Sequence, residues 1–453
     1  MERKFRWVDE NHDFLLNELF PFLRQKSISA TGEGIEACAE MLRSMMAVSG
    51  INARMIPTDG CPIVYGEIIE GPDLPTVLIY GHYDVQPPEP LEEWNTDPFE
   101  PVIKDDRIFC RGSSDNKGQL FCHIMAARLW KQFDGHLPVN VKYLFEGEEE
   151  TGSPHLQGFV HDNRELLACD ITIISDSHMH ESGRPSLILG LKGMCCVELE
   201  VTCANRDLHS KYAAAIANPA WKLLQVLQTI KDENSIAIPG FYDDVRLPLE
   251  NEAAACKLLP FDEVAMLKDF GIESFLTSRS GSDYYYNMMF EPTCNINGIF
   301  SGYTGKGSKN VLPHTATARL DFRLVPDQTP ERIYELLINH LKQKGFSDIK
   351  VKNLGNMPPS RTPIDNPHIS KISNAVKNVW GDAPLLYPSI AGSGPTFVFD
   401  SELLKPSITI PFAAADQNNH GPNESFILRG LWNGIKTGVM VLRAVAETGK
   451  CTL

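Results

Sequence analysis

Over the first 180 positions, stretches of helical periodicity alternate with short unbroken apolar runs, and each run stops on polar or glycine-rich residues. That texture predicts buried strands between helices, the pattern of an α/β fold with helices around a mostly parallel central sheet. The clearest runs are TVLIYGHYDV at 76–85, VNVKYLFEGEEE at 139–150 and DITIISDS at 170–177. All three finish in carboxylates or histidine. Open α/β sheets gather ligands beyond the carboxyl ends of their strands, so three such ends can converge on one crevice. From about 188 the pattern changes: MCCVELEVTC reads as a strand, NPAWKLLQVLQTIKD as a helix, TARLDFRLVP as a strand and PERIYELLINHLKQKG as a helix. Strand-end acids are scarce there. NPHISKISNAVKNVWG begins a helix again, and PSITIPFAAADQNNHGPNES repeats the earlier design of an apolar run ending in histidine and acid. The expectation is a discontinuous α/β domain, 1–187 plus 363–453, interrupted by an inserted α+β domain at 188–362.

Composition narrows the possibilities. A chain of 453 residues exceeds one compact core, and two domains are the natural division. Hydrophobic residues are 43% and charged residues 22%, an ordinary globular balance. Lys+Arg 42 against Asp+Glu 58 gives a net charge of −16, and no basic patch interrupts it, so nucleic acid and anionic lipid are not expected partners. The 11 cysteines are scattered without a C-x-x-C pair, which argues against a disulfide framework and for reduced thiols in the cytoplasm. The amino terminus reads as a charged amphipathic helix without an apolar signal core. No apolar run approaches the roughly 18 residues of a membrane span.

The strand-end groups form a chemical set: His82 and Asp84 in GHYDVQP, Asp115 in RGSSDNKG, Glu149 and Glu150 in FEGEEETGS, Asp176 in ISDS, and His420 in NNHGPNES. Two imidazoles and several carboxylates suit zinc, and also manganese or cobalt. Five donors are more than one catalytic metal needs. A pair of metals about 3.5–4 Å apart, bridged by one carboxylate, would use them and leave room for a bridging water. Such a water attacks an amide only if a base takes its proton. Glu149 and Glu150 are consecutive, so one can bind metal while the other serves as base. Asp84, two residues beyond His82, can orient that imidazole and raise its basicity.

The segments H-x-D-V-Q-P, G-R/K-x-x-D-x-K-G and E-E-x-G-S, with a late H-x-x-N-E, resemble the M20 family of metallopeptidases, and its carnosinase-like dipeptidase branch in particular. His82 to Pro87 fits the first motif without a gap, and Arg111 to Gly118 matches the second in D-x-K-G, with its arginine and glycine in the opposite order. The resemblance implies a zinc-peptidase-like catalytic domain with an inserted lid and dimerisation domain. It implies that Asp115 bridges two divalent metal ions, most simply Zn2+, with His82 and Asp176 on one and Glu150 and His420 on the other. It further implies Glu149 as general base and Asp84 as the residue orienting His82. In the insert, Asp207 to Ser210 looks like the family's D-L-H-S, whose His209 polarises the scissile carbonyl across a homodimer interface. Gly307 to Pro313, with Asn310, and Arg319 to Pro326 look like segments supplying an anion-binding arginine, here Arg323. Ala391 to Pro395 looks like the loop, back in the catalytic domain, that meets the substrate carboxylate through Gly392 and Ser393. Departures are Lys211 to Ala215 where the family is glycine-rich, Asn310 where threonine is common, and Lys192 where arginine is common. The expected activity is hydrolysis of dipeptides or short peptides with a free C-terminal carboxylate. The alternatives are an amidohydrolase of N-acyl, N-carbamoyl or aminoacyl-conjugated small molecules, and a non-catalytic peptide- or metal-binding protein.

Overall fold

The computed structural model describes residues 1–276 and 279–450. The chain forms two compact units, one comprising Met1–Gly190, Arg361–Pro388 and Val398–Leu453, the other Leu191–Ser360 with Ser389–Phe397.

The first unit is built on an eight-stranded sheet in the order Asn52–Ile56, Ile63–Ile68, Asn140–Glu146, Thr76–His82, Ile171–Ile174, Ser407–Thr409, Ser186–Ile188, Leu385–Tyr387. The four middle strands, from Asn140–Glu146 to Ser407–Thr409, run parallel. Their side chains are buried on both faces, which is why they read as continuous apolar runs rather than alternations. Helices Lys117–Asp134 and Leu428–Thr448 pack closely, with Trp130 Nε1 donating to the Val439 carbonyl at 3.1 Å. Gly438 permits that approach, since a Cβ there would lie 2.8 Å from Ala126 Cβ. The amino-terminal amphipathic segment is two helices, Glu2–Glu10 and His12–Arg24. Asn11 separates them by turning its side chain back to donate to the Trp7 carbonyl at 2.7 Å.

The second unit carries a four-stranded antiparallel sheet in the order Thr293–Ser301, Thr315–Leu324, Gly193–Thr202, Lys350–Met357. Strand Gly193–Thr202 alternates buried and half-buried residues. Its buried Cys195, Val197, Leu199 and Val201 share a core with Leu223 and Val226 of helix Pro219–Ile230 and Ile333 and Leu337 of helix Pro330–Gln343. One face is thus covered and the other open, an α+β arrangement. Three short helices, Glu250–Lys257, Glu263–Phe270 and Ser282–Phe290, occupy a stretch where the hydrophobic pattern predicts no element. Ser389–Phe397, expected within the first domain, groups with the second unit: Ile390 bridges Leu191, and Ser393 Oγ donates to the Gly193 carbonyl at 3.2 Å. No helix among the described residues is long and apolar enough to cross a membrane.

Candidate metal centre

The four parallel strands at the middle of the first unit all deliver their carboxyl ends to one place. His82 is the last residue of Thr76–His82, Glu149 and Glu150 open a short 3-10 turn after Asn140–Glu146, and Asp176 lies two residues beyond Ile171–Ile174. His420 follows Ser407–Thr409 after a longer loop, and Asp115 precedes helix Lys117–Asp134. Two donor groups result, His82 with Asp115 and Asp176, and Asp115 with Glu150 and His420, the candidate ligand atoms of each lying within 4.8 Å of one another. Asp115 belongs to both. Its Oδ1 is 3.1 Å from His82 Nε2, and its Oδ2 is 3.1 Å from His420 Nε2. His82 Nε2 is also 3.5 Å from Asp176 Oδ2, and His420 Nε2 is 3.2 Å from Glu150 Oε2.

Behind these donors lie groups that hold them. Asp84 is fully buried, with Oδ1 3.3 Å from His82 Nδ1, and its two oxygens also accept the Glu149 and Glu150 amides at 3.3 and 3.1 Å. One carboxylate therefore orients both an imidazole and the turn that carries the paired glutamates. Sequence reasoning missed three further supports. Gln86 Nε2 donates to Glu150 Oε2 at 2.8 Å, Asn419 Nδ2 to Asp115 Oδ2 at 3.3 Å, and Asn116 Nδ2 to the Ser175 carbonyl beside Asp176 at 2.6 Å. Each sits next to, or within a few residues of, a singled-out histidine or aspartate, and that adjacency was the available signal.

The electrostatics fit a cation. Burial, and the crowd of Asp176, Glu150 and Asp115, raise Glu149 well above the carboxylate range, and burial raises Glu150 as well. Burial alone would raise Asp115 too, but the imidazoles of His420 and His82 outweigh it and hold Asp115 well below its usual value. Hydrogen bonding to Asp115 and Glu150 pushes His420 up to about 10. His82 rises well above its usual value against the opposing effect of burial, because Asp115, Asp176 and Asp84 surround it. A buried cluster in which protons gather on imidazoles to offset clustered carboxylates is one where divalent cations would supply the missing positive charge. Two imidazoles and three carboxylates are the donor types that zinc, manganese and cobalt accept.

The remaining candidate residues lie in the second unit. His209 ends the two-residue strand Leu208–His209, paired with Val311–Leu312, and the Ser210 amide donates to the Asn310 carbonyl at 3.3 Å, so His209 and Asn310 adjoin on an exposed edge. His209 Nδ1 accepts the Lys211 amide at 3.1 Å. Arg323 Nη1 donates to Ser393 Oγ at 2.8 Å, with exposed Gly392 next in the chain. Lys192 is buried and donates to the carbonyls of Glu291 at 2.5 Å and Asn287 at 3.3 Å, capping the end of helix Ser282–Phe290. Burial lowers its ammonium to about 8, with Arg323 adding repulsion.

Comparison with known proteins agrees with this geometry. The chain is 27% identical to Beta-Ala-His dipeptidase of Mus musculus, over an alignment covering 99% of this chain and 96% of that one. It is 29% identical to Cys-Gly metallodipeptidase dug1 of Schizosaccharomyces pombe, covering 83% and 81%. The solved M20 family metallo-carboxypeptidase Sso-CP2 from Sulfolobus solfataricus matches with a TM-score of 0.91 at 36% identity, covering 96% of this chain and 99% of that one. The profile of Peptidase family M20/M25/M40 spans residues 78–447, and the chain belongs to that family of metallopeptidases.

Proposed function

We propose that this enzyme is a two-metal dipeptidase, cutting the amide bond of dipeptides or short peptides that end in a free carboxylate. The observation that carries the reading is Asp115, whose two oxygens face two separate donor groups. His82, Asp115 and Asp176 would hold one cation, and Asp115, Glu150 and His420 the other. Zn2+ suits this set, and Mn2+ or Co2+ would be accepted. When bound, two such cations supply Lewis acidity, acidifying a water and polarising the amide carbonyl.

The chain's own residues do the rest. Glu149, kept from both donor groups, takes the proton of the attacking water and returns it to the leaving amine. Asp84 fixes the ring of His82 so that Nε2 presents its lone pair. Arg323, aligned by Ser393 with Gly392 beside it, grips the terminal carboxylate by a charged fork. His209, with Asn310 beside it, donates to the oxygen that gains charge. His209 acts from the second copy of a homodimer. The exposed edge strand Thr293–Ser301, with Ile296, Ile299 and Phe300 open to solvent, supports such pairing. The relatives named for Beta-Ala-His and Cys-Gly substrates support a dipeptide. The exposed turn Ser210–Ala214, which replaces the family's glycine-rich stretch with Lys211 and Tyr212, keeps an amidohydrolase of N-acyl or N-carbamoyl amino acids as the second reading.

The test is to strip the enzyme with chelator and restore zinc, manganese or cobalt in turn. Metal content and hydrolysis are then measured on dipeptides, tripeptides, N-acyl and N-carbamoyl amino acids. Two cations per chain and a preference for dipeptides are expected. Preference for the acylated amino acids selects the second reading, and inactivity without metal uptake defeats both.

A further inference from the structure

Glu424 stands four residues beyond His420, is fully buried, and belongs to neither donor group. Its Oε1 accepts from the Ser114 amide at 2.9 Å, Ser114 Oγ at 2.9 Å and the Asp115 amide at 3.0 Å. Its Oε2 accepts from the Gly112 amide at 3.0 Å and Arg111 Nη1 at 2.9 Å. Arg111 is itself 1% exposed and lies 5.4 Å above the Trp94 ring. Its Nη2 reaches the Pro87 carbonyl at 3.2 Å and the His420 carbonyl at 3.4 Å. Five donors from residues 111–115 close on this one carboxylate and tie the loop that carries Asp115 to the one that carries His420, and the Arg111 guanidinium joins the loop after His82 to both.

A buried ion pair contributes little net stability compared with well-packed apolar residues, so stability alone does not account for this arrangement. Its directional bonds instead fix position. Oε1 holds the amide of Asp115 itself, while the guanidinium holds the carbonyl of His420. We propose that the Arg111–Glu424 pair is the positioning device of the metal centre, setting the spacing of Asp115 and His420 and with it the affinity for the cation they share with Glu150. This rests on the two-metal reading above. Neither residue belongs to a donor group.

The experiment compares wild type with Glu424→Gln, whose amide turns a donor toward Arg111 and the Gly112 amide. Stepwise chelator competition reads the affinity of each cation, thermal melting of the stripped protein reads folding, and kcat and KM are taken at saturating metal. The affinity of one cation is expected to fall about 10–100-fold, kcat to fall, and KM for a dipeptide to hold. Glu424→Asp, with the charge restored, is expected to recover part of the affinity. If Glu424→Gln does not fold, Arg111→Lys removes the fork but keeps the charge, and weakening of the same cation is again expected. Unchanged affinities with a lowered melting temperature overturn the proposal and leave the pair a purely structural bond. A wild-type chain that takes up a single cation defeats the two-metal reading instead, and the positioning role is then judged on that cation by the same comparison.

Discussion

Glu149 and Glu150 are neighbours in sequence with different surroundings. Glu150 is engaged by Gln86 and His420, whereas Glu149 lies near three carboxylates with its side chain outside both donor groups. Glu149→Gln is accordingly expected to lower kcat by about 10²–10⁴ while both cations stay bound, read by steady-state kinetics beside metal analysis. Gly147, just before that turn, is predicted to tolerate no side chain. A Cβ there would lie 2.5 Å from Cζ of Tyr83, whose ring is buried and whose hydroxyl donates to the Pro62 carbonyl at 2.7 Å. Gly147→Ala should cost about 1–3 kcal/mol in urea unfolding. His82, Asp84 and Asp115 were legible because each stands in a short run of distinctive residues. The hold of Gln86 on Glu150 was not, since 64 residues separate them and only the pairing of parallel strands brings their loops together.

Helix Lys117–Asp134 also carries a buried histidine. His123 Nε2 lies 2.8 Å from Ser175 Oγ, and that hydroxyl spends its proton on the Ile410 carbonyl at 2.7 Å, so His123 is the donor. Burial lowers His123 from 6.5 to about 4. The unfolded chain then binds the proton more tightly, so stability is intact above pH 6.5 and is lost as the pH falls toward 4, by up to about 3 kcal/mol. The urea midpoint should drop between pH 7 and pH 4.5, and His123→Gln should flatten part of that slope. Helices Pro219–Ile230, Pro330–Gln343 and Pro367–Trp380 were readable from periodicity, whereas the short helices of the insert were not. Helices of eight or nine residues, such as Glu263–Phe270, offer about two turns and little pattern. The run PSITIPFAAAD yields a strand of only Ser407–Thr409, because Pro406 and Pro411 bracket it without an amide to donate. Beyond it, Asn418 and His420 adopt φ of 61° and 60°, left-handed turns that no alternation of apolar and polar residues foretells.

At the scale of the whole molecule, the metal centre belongs to the first unit, and the second unit has a hydrophobic core of its own. Each cation at 100 times its Kd adds about 2.7 kcal/mol to the state that binds it. Chelation should therefore speed hydrogen exchange in peptides around 82–87, 111–118, 146–152 and 415–424 and leave strands Gly193–Thr202 and Thr315–Leu324 unchanged, as mass spectrometry would read. If His209 acts from a partner copy, mixing inactive Glu149→Gln and His209→Ala chains should restore activity through hybrid dimers, and a monomeric active enzyme on size exclusion would remove that role. Two-part organisation was visible in the change of texture near 188, but the return of Ser389–Phe397 to the second unit was not, since it depends on contacts with Leu191 and Gly193 that leave no local pattern. That discontinuity governs birth as well as form. The second unit's sheet is complete once residue 360 has been made, whereas His420, Glu424 and helix Leu428–Thr448 follow it in the chain. A ribosome adding about 5–20 residues per second therefore finishes the later-numbered unit first and holds the earlier one open until helix Leu428–Thr448 has been made, so a chain stalled near residue 410 carries the insert together with His82, Asp115, Glu150 and Asp176 but lacks His420.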